Sequence, residues 1–351
     1  MAKTGVRSRA ALAACWLVVG IAMIGVPLWL GWTRWQPILT GHPLMLALTI
    51  LCLLLGFVAV AWAIATLVLR DRADDPERGQ ELSAQQRTRR ADRRVVLGVP
   101  VLLLCVLLVT ALAWARPLSA SPAGAAAMRS GNDVQVSDRL TWFEMVSVAP
   151  DENGDVTEPT VGLVFVPGAR VDTRAYAPLL APLARAGYLV TVLKEPFGVA
   201  LVDGDHARTV MDAHPGIKTW VVGGHSLGGV AAASFADENP TVGDAAVAGL
   251  VLYASYPSSR MERSDLQVVS VSGDQDGLTT PEDVAASKED LPPDTTYVVV
   301  PGAVHSFFGD YGEQQGDGTP TVDRATAQAQ ITAATAELMV AVTPKAKPRK
   351  K

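Results

Sequence analysis

Hydrophobic and polar positions divide the chain into two unlike parts. In the first they fall into long blocks, and residues 11–32, 43–69 and 95–114 hold no charged side chain. A helix crosses the hydrocarbon of a bilayer with about 20 apolar residues, so the blocks predict three transmembrane helices. From near Asp138 the pattern changes, and short apolar runs of strand length alternate with Ala-rich stretches of helical period. FEMVSVAP, VGLVFVP, YLVTVLKE, TWVVGG, GLVLYAS, LQVVSVSG and TYVVVPG read as strands in that order. Helices are expected over 174–186, 204–213, 226–238, 281–290 and 321–341. Strands without a polar side need cover on both faces. The pattern therefore predicts an α/β domain, a doubly wound and mostly parallel sheet following three transmembrane helices.

The domain plan is a membrane anchor over 1–115, a linker over 116–137, the α/β domain over 138–343 and a basic tail over 344–351. The linker reading comes from RPLSASPAGAAAMRSG, rich in Pro, Ala, Ser and Gly. A cleaved signal peptide is the rival for the first block, since Lys3, Arg7 and Arg9 precede it. Two further blocks and the lack of a small-residue cleavage site favour an anchor, as do Trp29, Trp32 and Trp35 at one end of the block. Orientation follows from Lys and Arg in the short loops. The N-terminal tail holds three and the 33–42 loop only Arg34, whereas 70–94 holds Arg70, Arg72, Arg78, Arg87, Arg89, Arg90, Arg93 and Arg94. This asymmetry predicts a multi-pass protein of the cell membrane with its α/β domain on the extracytoplasmic side. Cys15, Cys52 and Cys105 all lie in the apolar blocks, so the outer domain has neither a disulfide nor a thiol nucleophile. A net charge of −5 argues against nucleic acid as a partner. It says nothing of oligomeric state.

Candidate chemistry gathers at the carboxyl ends of the strands, where open α/β sheets carry their functional loops. Ser226 stands in Gly224-His225-Ser226-Leu227-Gly228, between the strand TWVVGG and a helix. A sharp strand-to-helix bend exposes a serine hydroxyl at a helix N-terminus and demands small neighbours. Close packing of strand on helix demands small residues too, and a phosphate loop would need a different glycine spacing. A serine needs a base, and the base needs a carboxylate to hold its tautomer. His305, in PGAVHSFFGDYG after the last strand, is the one histidine downstream of Ser226. His42, His206 and His214 read as structural or solvated, and so does His225, which as the neighbour of Ser226 points away from it. The acid belongs after LQVVSVSG, where Asp274 and Asp276 fit equally well. An oxyanion hole takes the N–H of Leu227 and a second from the loop after VGLVFVP, assigned to Ala169.

FVPGARVDTRAY, GGHSLGG, SGDQDGL and VPGAVHSFFGDYGEQQGDG, in this order and at these strand ends, resemble the α/β-hydrolase superfamily, in particular its compact, lidless members similar to dienelactone hydrolases. The resemblance covers about residues 140–341 and implies a Ser-His-Asp hydrolase without metal or organic cofactor. The family's Gly-x-x-Asp pattern maps onto Gly273–Asp276 and so implies Asp276 as the acid. Pro167 stands where many members carry a histidine, and YPSSRMERSDLQ is too short for a helical lid. A three-span anchor departs from the common family pattern.

Other residues near the predicted site admit plainer readings. Arg170, Glu195 and Phe197 are candidates for substrate contact. An ion pair and a turn account equally well for Lys194–Phe197, and an exposed helix start for Arg170 and Tyr176. Asp310, Glu313 and Asp317 lack the spacing of a calcium loop and read as the edge of the site beside His305. The function expected is a membrane-anchored carboxylesterase acting through an acyl-enzyme on a small-molecule or lipid ester. The alternatives are an acyltransferase on the same scaffold and an inactive hydrolase-fold binding or scaffold protein.

Overall fold

The structure is a computed structural model describing residues 2–73, 84–150 and 154–344, with the side chains of 2–10, 69–73 and 84–97 left aside. The DENGD turn lies partly outside these residues, as do the centre of the basic loop 70–94 and the tail beyond Pro344. The chain forms two compact units.

Three helices, α1 (Ala2–Thr40), α2 (Pro43–Ala73) and α3 (Ala84–Trp114), make up the first unit, except that Gln36–Pro43 belongs to the second. Ala11–Thr40 and Pro43–Val68 are each long and apolar enough to cross a membrane, and Gly98–Trp114 is a shorter apolar stretch. The first helix runs past the expected end at Trp32. It bends at Arg34, whose φ of −140° is non-helical, because the Pro37 ring crowds the carbonyl one turn earlier. Gly20 and Gly56 let α1 and α2 approach closely, since a Cβ on Gly56 would stand 3.0 Å from the Gly20 carbonyl oxygen. The outward faces carry bare apolar side chains such as Val18, Val58 and Leu107.

The second unit carries the sheet. Its elements are α4 (Pro122–Ala127), β1 (Val134–Asp138), β2 (Trp142–Ser147), β3 (Val161–Val166), α5 (Ala177–Arg185), β4 (Leu189–Leu193), α6 (His206–Ala213), β5 (Thr219–His225), α7 (Leu227–Glu238), β6 (Thr241–Val242), β7 (Ala245–Tyr253), β8 (Gln267–Gly273), α8 (Pro281–Ala286), β9 (Thr296–Val300) and α9 (Arg324–Val342). Among the described residues the strands join in the order β1-β2-β4-β3-β5-β7-β8-β9, with β6 on the side of β7. From β4 to β9 the main path is parallel, while β1, β2 and β6 pair antiparallel. Successive side chains of a strand face opposite ways. Leu163 and Phe165 thus pack with α5 and α9, whereas Val164 and Val166 pack with α6 and α7. Helices on both faces make this a doubly wound, mostly parallel α/β sheet, as the apolar runs implied.

Residues 117–137 are not the flexible linker expected from their composition. Ser121 caps α4 by accepting from the N–H groups of Ala123 and Gly124. Gly124 packs so closely that a Cβ would stand 3.0 Å from the Arg174 carbonyl oxygen. Ahead of this helix Leu118 pairs with Val171, and Ala120 with Tyr311.

Candidate active site

Ser226 occupies the bend between β5 and α7 with φ 53° and ψ −125°, a region costly to any residue with a Cβ. The bend is held from outside. The Ser226 N–H donates to the Tyr253 carbonyl at 2.9 Å, and its own carbonyl accepts from the Ser255 hydroxyl at 2.7 Å. Glycines make the bend possible, because a Cβ on Gly224 would overlap the backbone of Gly228, and one on Gly228 would overlap the carbonyl oxygens of Val166 and Pro167. Ser226 is also the N-cap of α7 without capping through its side chain, which leaves the hydroxyl beside the unpaired N–H groups of the first turn.

Register brings the other strand ends alongside, with Val166 opposite Gly224, His225 opposite Tyr253, and Gly273 opposite Val300. From the loop after β8 the buried Asp276 reaches His305, which follows β9. Asp276 Oδ2 lies 2.9 Å from His305 Nδ1, while Oδ1 accepts from the N–H groups of Leu278 at 2.8 Å and Thr279 at 2.7 Å. An ionised carboxylate only accepts, so Nδ1 carries the hydrogen and Nε2 keeps a lone pair. Nε2 is buried without a hydrogen-bond partner. Asp274 is occupied elsewhere, its carboxylate accepting from the Gly302 N–H at 2.6 Å. Of the two aspartates open on sequence, Asp276 is therefore the one that meets the imidazole. The structure joins Asp276 to His305 and leaves Ser226 unbonded to either. The ring of His225, next to Ser226, nonetheless packs 4.6 Å from that of His305.

Asp317 holds the backbone around His305. Its carboxylate accepts from the N–H groups of His305 at 2.9 Å, Ser306 at 2.8 Å and Gly318 at 2.9 Å. Its loop also lies on the loop that carries Asp276, for a Cβ on Gly277 would stand 2.6 Å from the Gly316 carbonyl oxygen. Asp317 thus serves the backbone. Among the described residues no cluster of three or more His, Cys, Asp or Glu could hold a metal.

The loop after β3 is tied at several points. The Gly168 N–H donates to the Tyr176 hydroxyl at 2.9 Å, Val171 N–H to the Gly168 carbonyl at 3.0 Å, and Arg170 N–H to the Gly198 carbonyl at 2.7 Å. Arg170 sits at φ 62° and is half-buried. Among the described residues no acceptor meets the Ala169 N–H, and that of Leu227 opens its helix without an intrahelical partner. A strap from the start of the unit binds this loop to the one behind His305. Leu118 N–H donates to the Arg170 carbonyl at 2.7 Å, Asp172 N–H to the Leu118 carbonyl at 2.9 Å, Ala120 N–H to Asp172 Oδ2 at 3.1 Å, and Ser121 N–H to the Asp310 carbonyl at 2.8 Å.

Several sequence expectations need correction. Tyr176 is fully buried and not at an exposed helix start; its hydroxyl lies 2.9 Å from Nδ1 of the equally buried His225. Burial, then the neighbouring His305, hold the His225 pKa well below that of an ordinary imidazole, with a His305 backbone group opposing. Glu195 is buried among the ends of β3 and β4 and residues of α6 and α7. There its carboxylate lies 3.5 Å from His206 Nδ1 and lines a cavity of about 10 Å³ with Val166, Leu193 and Phe235. Burial pushes the Glu195 pKa up, and His206 opposes the shift. Phe197 is half-buried at φ 56°, just before the Gly198 that meets Arg170. Lys194 is buried, pairs with Asp138 at 2.6 Å and donates to the Arg139 carbonyl at 2.7 Å.

Residues 162–330 match the sequence profile of a family described as the alpha/beta hydrolase family. Similar solved structures include a thermophilic esterase from Thermogutta terrifontis in its butyrate-bound form, 16% identical over 61% of this chain and 97% of that one, with a TM-score of 0.41. A thermostable esterase from Pseudomonas putida ECU1011 is 14% identical over 64% of this chain and 88% of that one, with a TM-score of 0.46. TT1662 from Thermus thermophilus is 16% identical over 61% and 99%, with a TM-score of 0.41. Among curated proteins none matches the chain.

Proposed function

We propose that the protein is a serine hydrolase of carboxylic esters with Ser226, His305 and Asp276 as its triad, a reading supported by the alpha/beta hydrolase profile that residues 162–330 match and by the mostly parallel sheet. The observation that carries this reading is the Asp276–His305 pair, whose buried, unbonded Nε2 belongs to the same row of strand ends as the strained Ser226. A base without its serine contact is common before substrate binds, since such contacts tighten in the complex.

In the proposed reaction the Ser226 hydroxyl adds to the ester carbonyl while its proton passes to His305 Nε2. The N–H groups of Ala169 and Leu227 receive the charge that develops on the carbonyl oxygen. Asp276 holds the imidazole and stabilises its cation. Collapse breaks the bond to the alkoxy group, which leaves as the alcohol with the proton from Nε2, and Ser226 remains acylated. Water then adds with His305 again as base, and the acid departs as Ser226 recovers its proton. Arg170 and Phe197, which flank the oxyanion loop, are the proposed substrate contacts; the buried Glu195 is not. Fluorophosphonate labelling of the full-length protein tests the reading. Wild type takes the label and Ser226→Ala does not; equal labelling of both would refute it.

The two long apolar helices and the apolar end of α3 support a three-span anchor. The arginine-rich 70–94 loop then assigns the hydrolase domain to the extracytoplasmic side, where it meets small-molecule or lipid esters. A reporter active only in the cytoplasm, fused after Lys351, stays silent in this topology.

A further inference from the structure

A buried tyrosine–histidine pair outside the triad touches both the oxyanion loop and the base. The Tyr176 oxygen accepts the Gly168 N–H and lies 2.9 Å from His225 Nδ1. A phenol has one hydrogen to give, and the remaining neighbour is Nδ1, so the hydroxyl donates there. His225 must then carry its own hydrogen on Nε2 and be neutral. On its other side the ring packs against His305 at 4.6 Å and stacks with Phe308 at 6.1 Å. Gly168 has no room for a side chain, because a Cβ would stand 2.7 Å from His225 Nδ1.

We infer that Tyr176 and His225 form a positioning relay for the reaction proposed above, on which this inference rests. Holding the Gly168 N–H fixes the peptide plane just before the one that offers the Ala169 N–H to the oxyanion. The same hydroxyl sets the tautomer of His225, so that an uncharged wall faces His305 when that ring takes up a proton. A cationic neighbour at this distance would oppose the charging step on which the first half-reaction depends. Neither residue meets substrate. Both act through the geometry of groups that do, and small displacements of such groups are costly.

The relay is tested with three full-length variants, Tyr176→Phe, His225→Phe and the double. Tyr176→Phe keeps the ring that packs 4.9 Å from Phe165 and removes only the oxygen. Deleting one oxyanion donor lowers kcat by about 10²–10³-fold. A displaced donor loses less, so Tyr176→Phe should lower kcat on a p-nitrophenyl ester about ten- to a hundredfold with KM within about twofold. His225→Phe should lose less, because Tyr176 can still accept from Gly168. The double variant should be no worse than Tyr176→Phe, since residues working as one unit are not additive. A Tyr176→Phe enzyme with wild-type kcat, or losses that multiply in the double, overturns the relay. Ring-nitrogen NMR of the wild type reads it without turnover, and a protonated Nδ1 on His225 also overturns it. An active, labelled wild type with an unaffected Tyr176→Phe sinks the relay alone, whereas an unlabelled wild type sinks the hydrolase reading.

Discussion

Replacing Asp276 with asparagine should invert the tautomer of the base. Oδ1 of Asp276 accepts two backbone N–H groups, from Leu278 and Thr279, and the oxygen of an amide can serve there while its NH₂ cannot. The variant's oxygen is therefore held in that place, and its NH₂ must occupy the position of Oδ2, 2.9 Å from His305 Nδ1. Two donors cannot share one hydrogen bond. Nδ1 gives up its hydrogen to accept from the amide, the ring proton moves to Nε2, and the lone pair that takes the serine proton is gone. A wrong tautomer in a Ser-His-Asp triad lowers kcat about 10⁴-fold, equivalent to about 5.5 kcal/mol of transition-state stabilisation. The volume hardly changes, so KM should stay near wild type, while the two backbone N–H groups now meet a neutral oxygen in place of a charged one, so the melting temperature should fall. Asp274→Asn is the control, because an amide oxygen can still accept from Gly302, and its kcat should stay within about threefold at a stability cost of about 1 kcal/mol. The assay is kcat and KM on p-nitrophenyl acetate, with fluorophosphonate labelling rates alongside. If Asp276→Asn stays within tenfold of wild type, or Asp274→Asn loses as much, the argument from hydrogen-bond direction is wrong.

Asp317→Asn faces three N–H donors with one oxygen fewer; charged hydrogen bonds are worth about 1.5–3 kcal/mol each, so kcat and melting temperature should both fall, and a kcat within twofold of wild type would remove Asp317 from the support of His305. Gly228→Ala, which in an open helix gains about 1 kcal/mol, should here cost about 2 kcal/mol or more because its Cβ overlaps two carbonyl oxygens; a raised melting temperature contradicts that crowding. Glu195 has a pKa raised by burial in the folded protein, so its contribution is complete below the unfolded-state value of about 4.3 and is lost as pH rises through the folded value. Melting curves from pH 4 to 8 should therefore show wild type losing ground to Glu195→Gln as pH increases, and a difference independent of pH would show that burial does not govern this carboxyl.

The strands were legible because buried parallel strands leave unbroken apolar runs such as VGLVFV, whose six residues are all buried. The strand VQVSD was not, being short, partly polar and placed after a stretch whose Pro, Ala and Gly suggest a loop. That stretch folds through partners such as Asp172 and Arg174 that lie far along the chain, and composition carries no trace of them. Ser226 and His305 could be singled out from residue order and their positions after apolar runs. Asp276 could not be separated from Asp274 that way, since the choice depends on which carboxylate the Gly302 turn occupies. Tyr176 was misread because its partner is equally remote in sequence. A tyrosine beside an arginine at a helix start looks exposed until one knows that β5 brings an imidazole beneath its hydroxyl.

The strap has a practical consequence for anyone wishing to free the domain from its apolar helices. Trimming the chain at Pro122, an inviting boundary by composition, would strip partners from the Arg170 and Asp310 carbonyls and from one oxygen of Asp172. A soluble version that retains Pro117–Ser121 keeps both loops fastened. One that begins five residues later would report on a loosened catalytic centre and make the enzyme look slower than it is.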